Sequence, residues 1–274
     1  MRSVLFQAGP FAVHSYGVML AVAFLAAILW SRREMSRAGL PPDWVFDAAV
    51  YVIAASILGG RLVYVLLDFG SYAAKPGEIL QVQLGGLSIH GGIAGGVAAV
   101  AWFCRRKKVG MLRFGEPLLP GLALGTALGR IGCFMNGCCY GSPSRAPWAV
   151  VLPELGDGAA RHPAQLYASG LNLLLFFALL FLWRFRRREG DMLSFYMMGY
   201  GAVRFAVEFF RAGESSVVGW GGVTYAQWLS AGLFAAGVAL LSAGRGCLPR
   251  AKDSKTRDVP SDAASVPAAH KKKK

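Results

Sequence analysis

The sequence predicts an all-α, polytopic membrane protein of about seven transmembrane helices, with its N-terminus outside and its C-terminus in the cytoplasm. Three observations predict this. Hydrophobic residues make up 55% of the chain and charged residues only 16%, where a soluble domain carries about a quarter charged residues. The apolar residues gather into stretches of bilayer-spanning length. The lysines and arginines alternate between loops, as cytoplasmic loops require.

The expected spans lie at roughly 14–31, 45–67, 87–104, 116–133, 164–183, 192–210 and 224–243. The first ends in Arg32-Arg33 with no small-residue cleavage site, so it reads as a retained helix rather than a signal peptide. The second, fourth and sixth carry polar intruders. The fifth, rich in Leu and Phe from Leu171 to Trp183, is lipid-facing sequence. In the fourth, Gly121, Gly125 and Gly129 recur every four residues and predict a small-residue stripe against a neighbouring helix.

Orientation comes from the basic residues. The loops after the first, third and fifth spans, with the tail, hold 21 of the 29 lysines and arginines. The opposite side holds Arg2, Lys75, Arg145, Arg161 and Arg211. This placement explains the net charge of +14 as membrane-flanking charge and argues against nucleic-acid binding. Residues 1–247 are read as one seven-helix membrane domain. Residues 248–274, which are mostly Ala, Ser, Pro, Asp and Lys, are read as a disordered basic cytoplasmic tail. Five cysteines are too few and too uneven for a disulfide framework.

Arg61, Arg130 and Arg204 fall inside expected spans. A central arginine costs about 2.5 kcal/mol or more on insertion scales, so it faces a polar cavity or a partner. Tyr16, His90, Asn136, Tyr200 and Glu208 are further polar intruders. The expected topology puts all of these in the outer half of the membrane, which points to one site. Glu208 follows Arg204 by four residues and shares its helix face. The pair is either simple neutralisation or a clamp for an anionic ligand, since the planar guanidinium bonds phosphate oxygens bidentately. Several arginines facing an outer-leaflet cavity read as a phospholipid headgroup site. His90 sits among Gly85, Gly86, Gly91, Gly92, Gly95 and Gly96, which lets backbone or substrate approach its ring.

At Gly129-Arg130-Ile131-Gly132-Cys133-Phe134-Met135-Asn136-Gly137 the chain resembles the signature of bacterial prolipoprotein diacylglyceryl transferases, Gly-Arg-x-Gly-Asn-Phe-x-Asn-Gly-Glu-x-x-Gly. Five other segments are similar to that family in order and spacing. They are Ser15-Tyr16-Gly17, Gly59-Gly60-Arg61-Leu62-Val63-Tyr64, Ser88-Ile89-His90-Gly91-Gly92, His162-Pro163-Ala164-Gln165-Leu166-Tyr167, and Tyr200 through Phe209. The resemblance runs from about residue 10 to residue 243. It implies a monomeric, cofactor-free and metal-free enzyme of the bacterial inner membrane whose site faces the periplasm. Its substrates would be phosphatidylglycerol and prolipoprotein signal peptides. The diacylglyceryl group would move to the thiol of the lipobox cysteine, forming a thioether and releasing glycerol phosphate. By the same resemblance Arg130 and Arg204 hold the phosphate and His90 assists proton transfer or positioning. Tyr16 and Glu208 orient them, and Arg61, Asn136 and Tyr200 contribute to substrate binding.

The chain departs from the pattern where Cys133 replaces its first Asn and Cys138 its Glu; Cys139 adds a third thiol. Three readings stay open: substitution at tolerant positions, a disulfide on the oxidising face, or a changed function using the thiols or a metal. The rival functions are a transferase for another lipid or thiol acceptor, and a non-catalytic lipid-binding or thiol-relay protein built on Cys133, Cys138 and Cys139.

Overall fold

A computed structural model describes residues 4–8, 11–74, 76–79, 86–212, 219 and 222–247. The expected disordered tail, 248–274, lies outside the described residues. Nine helices are described: α1 (Ser15–Arg37), α2 (Trp44–Leu67), α3 (Phe69–Ala74), α4 (Ile89–Lys107), α5 (Met111–Gly115), α6 (Leu119–Met135), α7 (Ala164–Leu182), α8 (Asp191–Glu208) and α9 (Tyr225–Cys247). The seven long ones coincide with the seven expected spans. Five segments among the described residues are long and apolar enough to cross a membrane: α1, α2, Met111–Met135, Ala164–Phe185 and Tyr225–Ala243. The other two long helices are more polar. Helix α4 ends in Arg105, Arg106 and Lys107, and α8 carries Asp191, Arg204 and Glu208. The exteriors are apolar, with Leu58, Leu67, Leu174 and Leu229 largely exposed; such surfaces are at home in lipid rather than water.

The all-α expectation needs one correction. Among the described residues are two small antiparallel hairpins, Val4–Ala8 (β1) with Phe11–His14 (β2), and Val150–Val151 (β3) with Ala160–Arg161 (β4). They escaped the sequence reading because strands of two to five residues give too little alternation to register.

The chain divides into two compact units, one within Met1–Glu34 and Glu116–Asp253, the other within Met35–Gly115. In the second unit α2 and α4 lie against each other through glycine. A Cβ on Gly59 would meet the Gly91 carbonyl oxygen at 2.5 Å, and one on Gly91 would meet Val63 Cβ at 2.7 Å. The glycines beside His90 therefore admit backbone. Farther along, Trp44 and Phe114 pack on Phe103, and Lys107 lies 5.4 Å over Trp44, its stem on apolar surface and its charge outward.

In the first unit α6 packs on α1. A Cβ on Gly121 would lie 2.7 Å from the Ala27 carbonyl oxygen, one on Gly125 3.2 Å from Ala27 Cβ, and one on Gly132 3.0 Å from Met19 Cβ. Gly129, expected in this stripe, has nothing within 4 Å. At 100° per residue a four-residue step drifts around the helix, so Gly129 lies roughly 80° from Gly121 while Gly132 lies roughly 20° from it. Helices α6, α7 and α8 share a core of Leu119, Ala123, Leu175, Phe176, Leu179 and Met192, with the Trp30 edge 4.9 Å from Phe176 between ring centroids. Ser169 Oγ donates to the Ala127 carbonyl at 2.8 Å, a further α7–α6 tie.

Glu116 anchors the basic end of this unit. It is 1% exposed. Its Oε1 accepts the backbone N–H of Gly190 (2.6 Å) and Met192 (3.0 Å), and its Oε2 pairs with Arg186 at 3.0 Å. A carboxylate at the N-terminus of α8 satisfies free helical N–H groups and the helix dipole together. Asp191 accepts the N–H of Arg187 and Arg188 and completes the turn.

Two substitutions test this packing. Glu116→Ala should lower unfolding stability by about 2 kcal/mol, because two buried N–H groups and the partly covered Arg186 lose their acceptor; a thermal midpoint in detergent equal to wild type would contradict this. Gly121→Leu should destabilise strongly while Gly129→Ala should be neutral or slightly stabilising, measured the same way.

Candidate active site

The site is built where α6 ends. Gly137 has φ +70° and closes the helix in a left-handed turn that suits glycine. The N–H of Gly137 bonds the Phe134 carbonyl at 3.3 Å and the N–H of Cys138 bonds the Cys133 carbonyl at 3.2 Å. That double closure brings the third-last helical residue and the second residue beyond the cap side by side, and here both are cysteine. Cys139 also has positive φ, +61°, unusual for a residue with a side chain. The three sulfurs end within 4.8 Å of one another. Asn136 is the capping residue, its N–H on the Gly132 carbonyl at 3.0 Å.

The following loop is pinned on both sides. Gly141 N–H donates to the His162 carbonyl (3.0 Å), His162 N–H to the Ser142 carbonyl (3.0 Å), and Ser142 N–H to the Phe210 carbonyl (2.9 Å). A Cβ on Gly141 would meet the His162 and Phe210 carbonyl oxygens, each at 2.5 Å. His162 and Tyr167 pack on Phe210, with His162 Nδ1 3.1 Å from the Tyr167 hydroxyl, which also accepts from Trp148 Nε1 at 2.6 Å. Gln165, buried, donates to the Cys138 carbonyl at 2.8 Å.

Beside the thiols lies a narrow cleft. Arg130, Cys139, Gln165, Asn172, Tyr200, Arg204 and Arg211 line it together with small apolar side chains. Glu208, 4% exposed, sits behind it. Arg204 Nη1 pairs with Glu208 Oε2, Arg211 Nε lies 4.0 Å from the same oxygen, and Thr224 Oγ1 donates to Oε1 at 3.2 Å. Thr224 is itself held at the start of α9 by reciprocal bonds with Gln227, at 3.0 and 3.2 Å, a capping box. No carboxylate of the described residues pairs with Arg130. The Asn172 Oδ1 atom is buried without a partner. Tyr200 stacks on Tyr196 with centroids 5.8 Å apart. Tyr16 lies over Gly132 and within electrostatic range of Arg130 and the three cysteines. Hydrogen bonds from Cys133 and Cys138, and then the charges of Arg211 and Arg130, pull the pKa of Cys139 well below the usual thiol value.

Of the residues singled out in sequence, Tyr16, Arg130, Cys133, Cys138, Cys139, Asn136, Tyr200, Arg204 and Glu208 belong to this unit. His90 and Arg61 belong to the other. His90 is exposed in the first turn of α4. Arg61 is 6% exposed and donates from Nε, Nη1 and Nη2 to the carbonyls of Ile79 (2.8 Å), Gly86 (3.1 Å) and Glu78 (2.6 Å). It also lies over the Tyr64 and Tyr72 rings. Sequence reasoning missed Arg211, Gln165 and Asn172. Arg211 was placed in an outer loop, although it follows Glu208 by three residues; that spacing was the available signal.

The helices and this cleft define a class: a multi-pass membrane protein with an arginine-lined cleft beside a cluster of thiols. A family model described as prolipoprotein diacylglyceryl transferase matches residues 3–243. Relatives named phosphatidylglycerol–prolipoprotein diacylglyceryl transferase agree. The one from Bordetella avium is 39% identical over 245 residues, covering 86% of this chain and 92% of its own. That from Bordetella bronchiseptica is 37% identical over 243 residues, covering 86% and 93%. That from Clostridium tetani is 36% identical over 214 residues, covering 77% and 86%. The chain belongs to the prolipoprotein diacylglyceryl transferase family.

Removing the Glu208 charge should weaken the site in steps. Glu208→Ala leaves Arg204 and Arg211 without their carboxylate and should cost about 2 kcal/mol or more, less than a fully buried pair because Arg204 is partly exposed. Glu208→Gln keeps an acceptor for Thr224 and should cost less. Equal thermal midpoints for the two variants would contradict this ordering.

Proposed function

We propose that the chain is a phosphatidylglycerol–prolipoprotein diacylglyceryl transferase of the bacterial inner membrane. The observation that carries this reading is the meeting of Arg130, Arg204 and Arg211 on one cleft in a chain of this family. The relatives' names supply the substrates: phosphatidylglycerol as donor and a prolipoprotein as acceptor. The alternative of a non-catalytic lipid-binding or thiol-relay protein is not favoured, because the family match spans nearly the whole chain.

The proposed topology has seven spans, the N-terminus outside and the C-terminus in the cytoplasm. Support comes from the alternation of basic loops and from seven long helices at the expected places. On that topology the cleft faces the outer leaflet, the signal peptide's lipobox presents its cysteine there, and a monomer suffices. Residues 1–247 form the transferase domain.

In the reaction, the acceptor sulfur attacks the glyceryl carbon that carries the phosphate. The carbon–sulfur bond forms, the carbon–oxygen bond breaks, and glycerol phosphate leaves with the electron pair. Negative charge grows on the leaving phosphate, where guanidinium groups held in advance are most effective. Arg130, without a carboxylate partner among the described residues, is free to bind phosphate. Arg204 and Arg211 are oriented by Glu208. Tyr16, Asn136 and Tyr200 are assigned to substrate binding, and His90 to proton transfer or positioning. Arg61 acts by holding the segment around Glu78 and Gly86.

The test mixes purified protein, phosphatidylglycerol vesicles and a lipobox peptide, and follows the diacylglyceryl mass shift. Wild type should transfer. Arg130→Ala should lose about 100-fold or more, the usual cost of removing one stabiliser of transition-state charge. A wild-type rate in that variant would overturn the role of Arg130.

A further inference from the structure

We propose that Cys133, Cys138 and Cys139 bind one zinc ion, and that its open fourth position takes the thiol of the acceptor peptide. The second half of this proposal rests on the transferase reading above.

The three sulfurs lie within 4.8 Å of one another. Tetrahedral zinc with Zn–S bonds of about 2.3 Å puts its sulfurs about 3.8 Å apart, so a small rotation of the side chains closes the set around one ion. Two features make this a built arrangement. The helix closure at Gly137 sets Cys133 beside Cys138 through the Cys138 N–H to Cys133 carbonyl bond. Cys139 then takes a left-handed backbone, φ +61°, which cysteine acting as a small apolar filler would not require. A disulfide would use two of the sulfurs and leave the third without a role.

The donor set chooses the metal. Three thiolates with no carboxylate among them suit a soft ion and reject magnesium and calcium. Three protein ligands leave a tetrahedral ion one open position, as in catalytic rather than structural zinc sites. The complex is anionic, and Arg130 and Arg211 stand within electrostatic range of Cys139. Cys139 belongs both to the sulfur set and to the wall of the arginine cleft. A thiol bound at the fourth position would therefore stand beside the groups that hold the phosphate.

The chemistry follows from coordination. Zinc binds sulfur as thiolate and releases the thiol proton to solvent. The bound acceptor sulfur attacks the glyceryl carbon, the carbon–oxygen bond breaks, and both its electrons leave on glycerol phosphate. The thioether is a poor ligand and departs. Nothing is oxidised or reduced.

The test uses the full chain, purified under reducing conditions from cells supplied with zinc. Metal analysis should find about one zinc per chain, and Cys133→Ser, Cys138→Ser and Cys139→Ser should each lose most of it. In wild type, exchange with cobalt should give thiolate-to-cobalt charge-transfer absorption, a readout independent of activity. Less than about a tenth of a zinc per chain, with three freely titrating thiols or a disulfide found by mass spectrometry, would overturn the site. Chelator-stripped protein should lose transfer to the lipobox peptide, keep its binding of phosphatidylglycerol vesicles, and recover transfer with zinc. Full transfer without zinc would overturn the activating role and leave the transferase reading intact. Bound zinc with no transfer by wild type would sink the transferase reading, and thiol activation with it, and leave the metal site standing.

Discussion

A single carboxylate, that of Glu208, organises the polar part of this protein. A guanidinium in an apolar surround needs a polar cavity or a partner, and Glu208 partners two. It draws Arg204 from one turn back and Arg211 from one turn on, and takes a hydroxyl from Thr224 at the start of the next helix. With both its oxygens engaged it cannot act as a base without breaking the array. Its work is positional. Both cations it holds line the cleft, where on the proposed function a phosphate would meet them.

The arginines in the expected spans solve the same problem in different ways. Arg61 donates to carbonyl oxygens of the segment around Glu78 and Gly86 and lies over aromatic faces. Arg204 is satisfied by an opposite charge. Arg130 has no carboxylate partner among the described residues, and on the proposed function it is left for the phosphate to neutralise. One residue type thus serves as a structural tie, as a held cation and as an open one, and only the partners tell these apart.

Much of this was legible in the chain alone. Long helices register because apolar length and basic flanks are strong, local signals. The Arg204–Glu208 pair registers because four residues make one turn. What escaped depends on partners distant in sequence. The glycines beside His90 could not announce that Gly59 would fill their space. A four-residue glycine repeat suggested Gly129 where helical drift selects Gly132. Arg61 read as a binding residue because the carbonyls that take it come from residues 78, 79 and 86. The cysteines were seen as a departure. Their convergence follows from how one helix end closes, a local rule applied to three residues whose type it does not dictate.

The loop that follows the cysteines is laced to the end of α8 by Ser142 and to the approach of α7 by Gly141 and His162. Gly141 is wedged so tightly that no side chain fits. The thiols and Arg211 are thereby mounted on a common bracket. On the proposed function a two-tailed lipid must still come and go. Its door would then be hung elsewhere, on helix surfaces that face the bilayer, with the bracket as the frame.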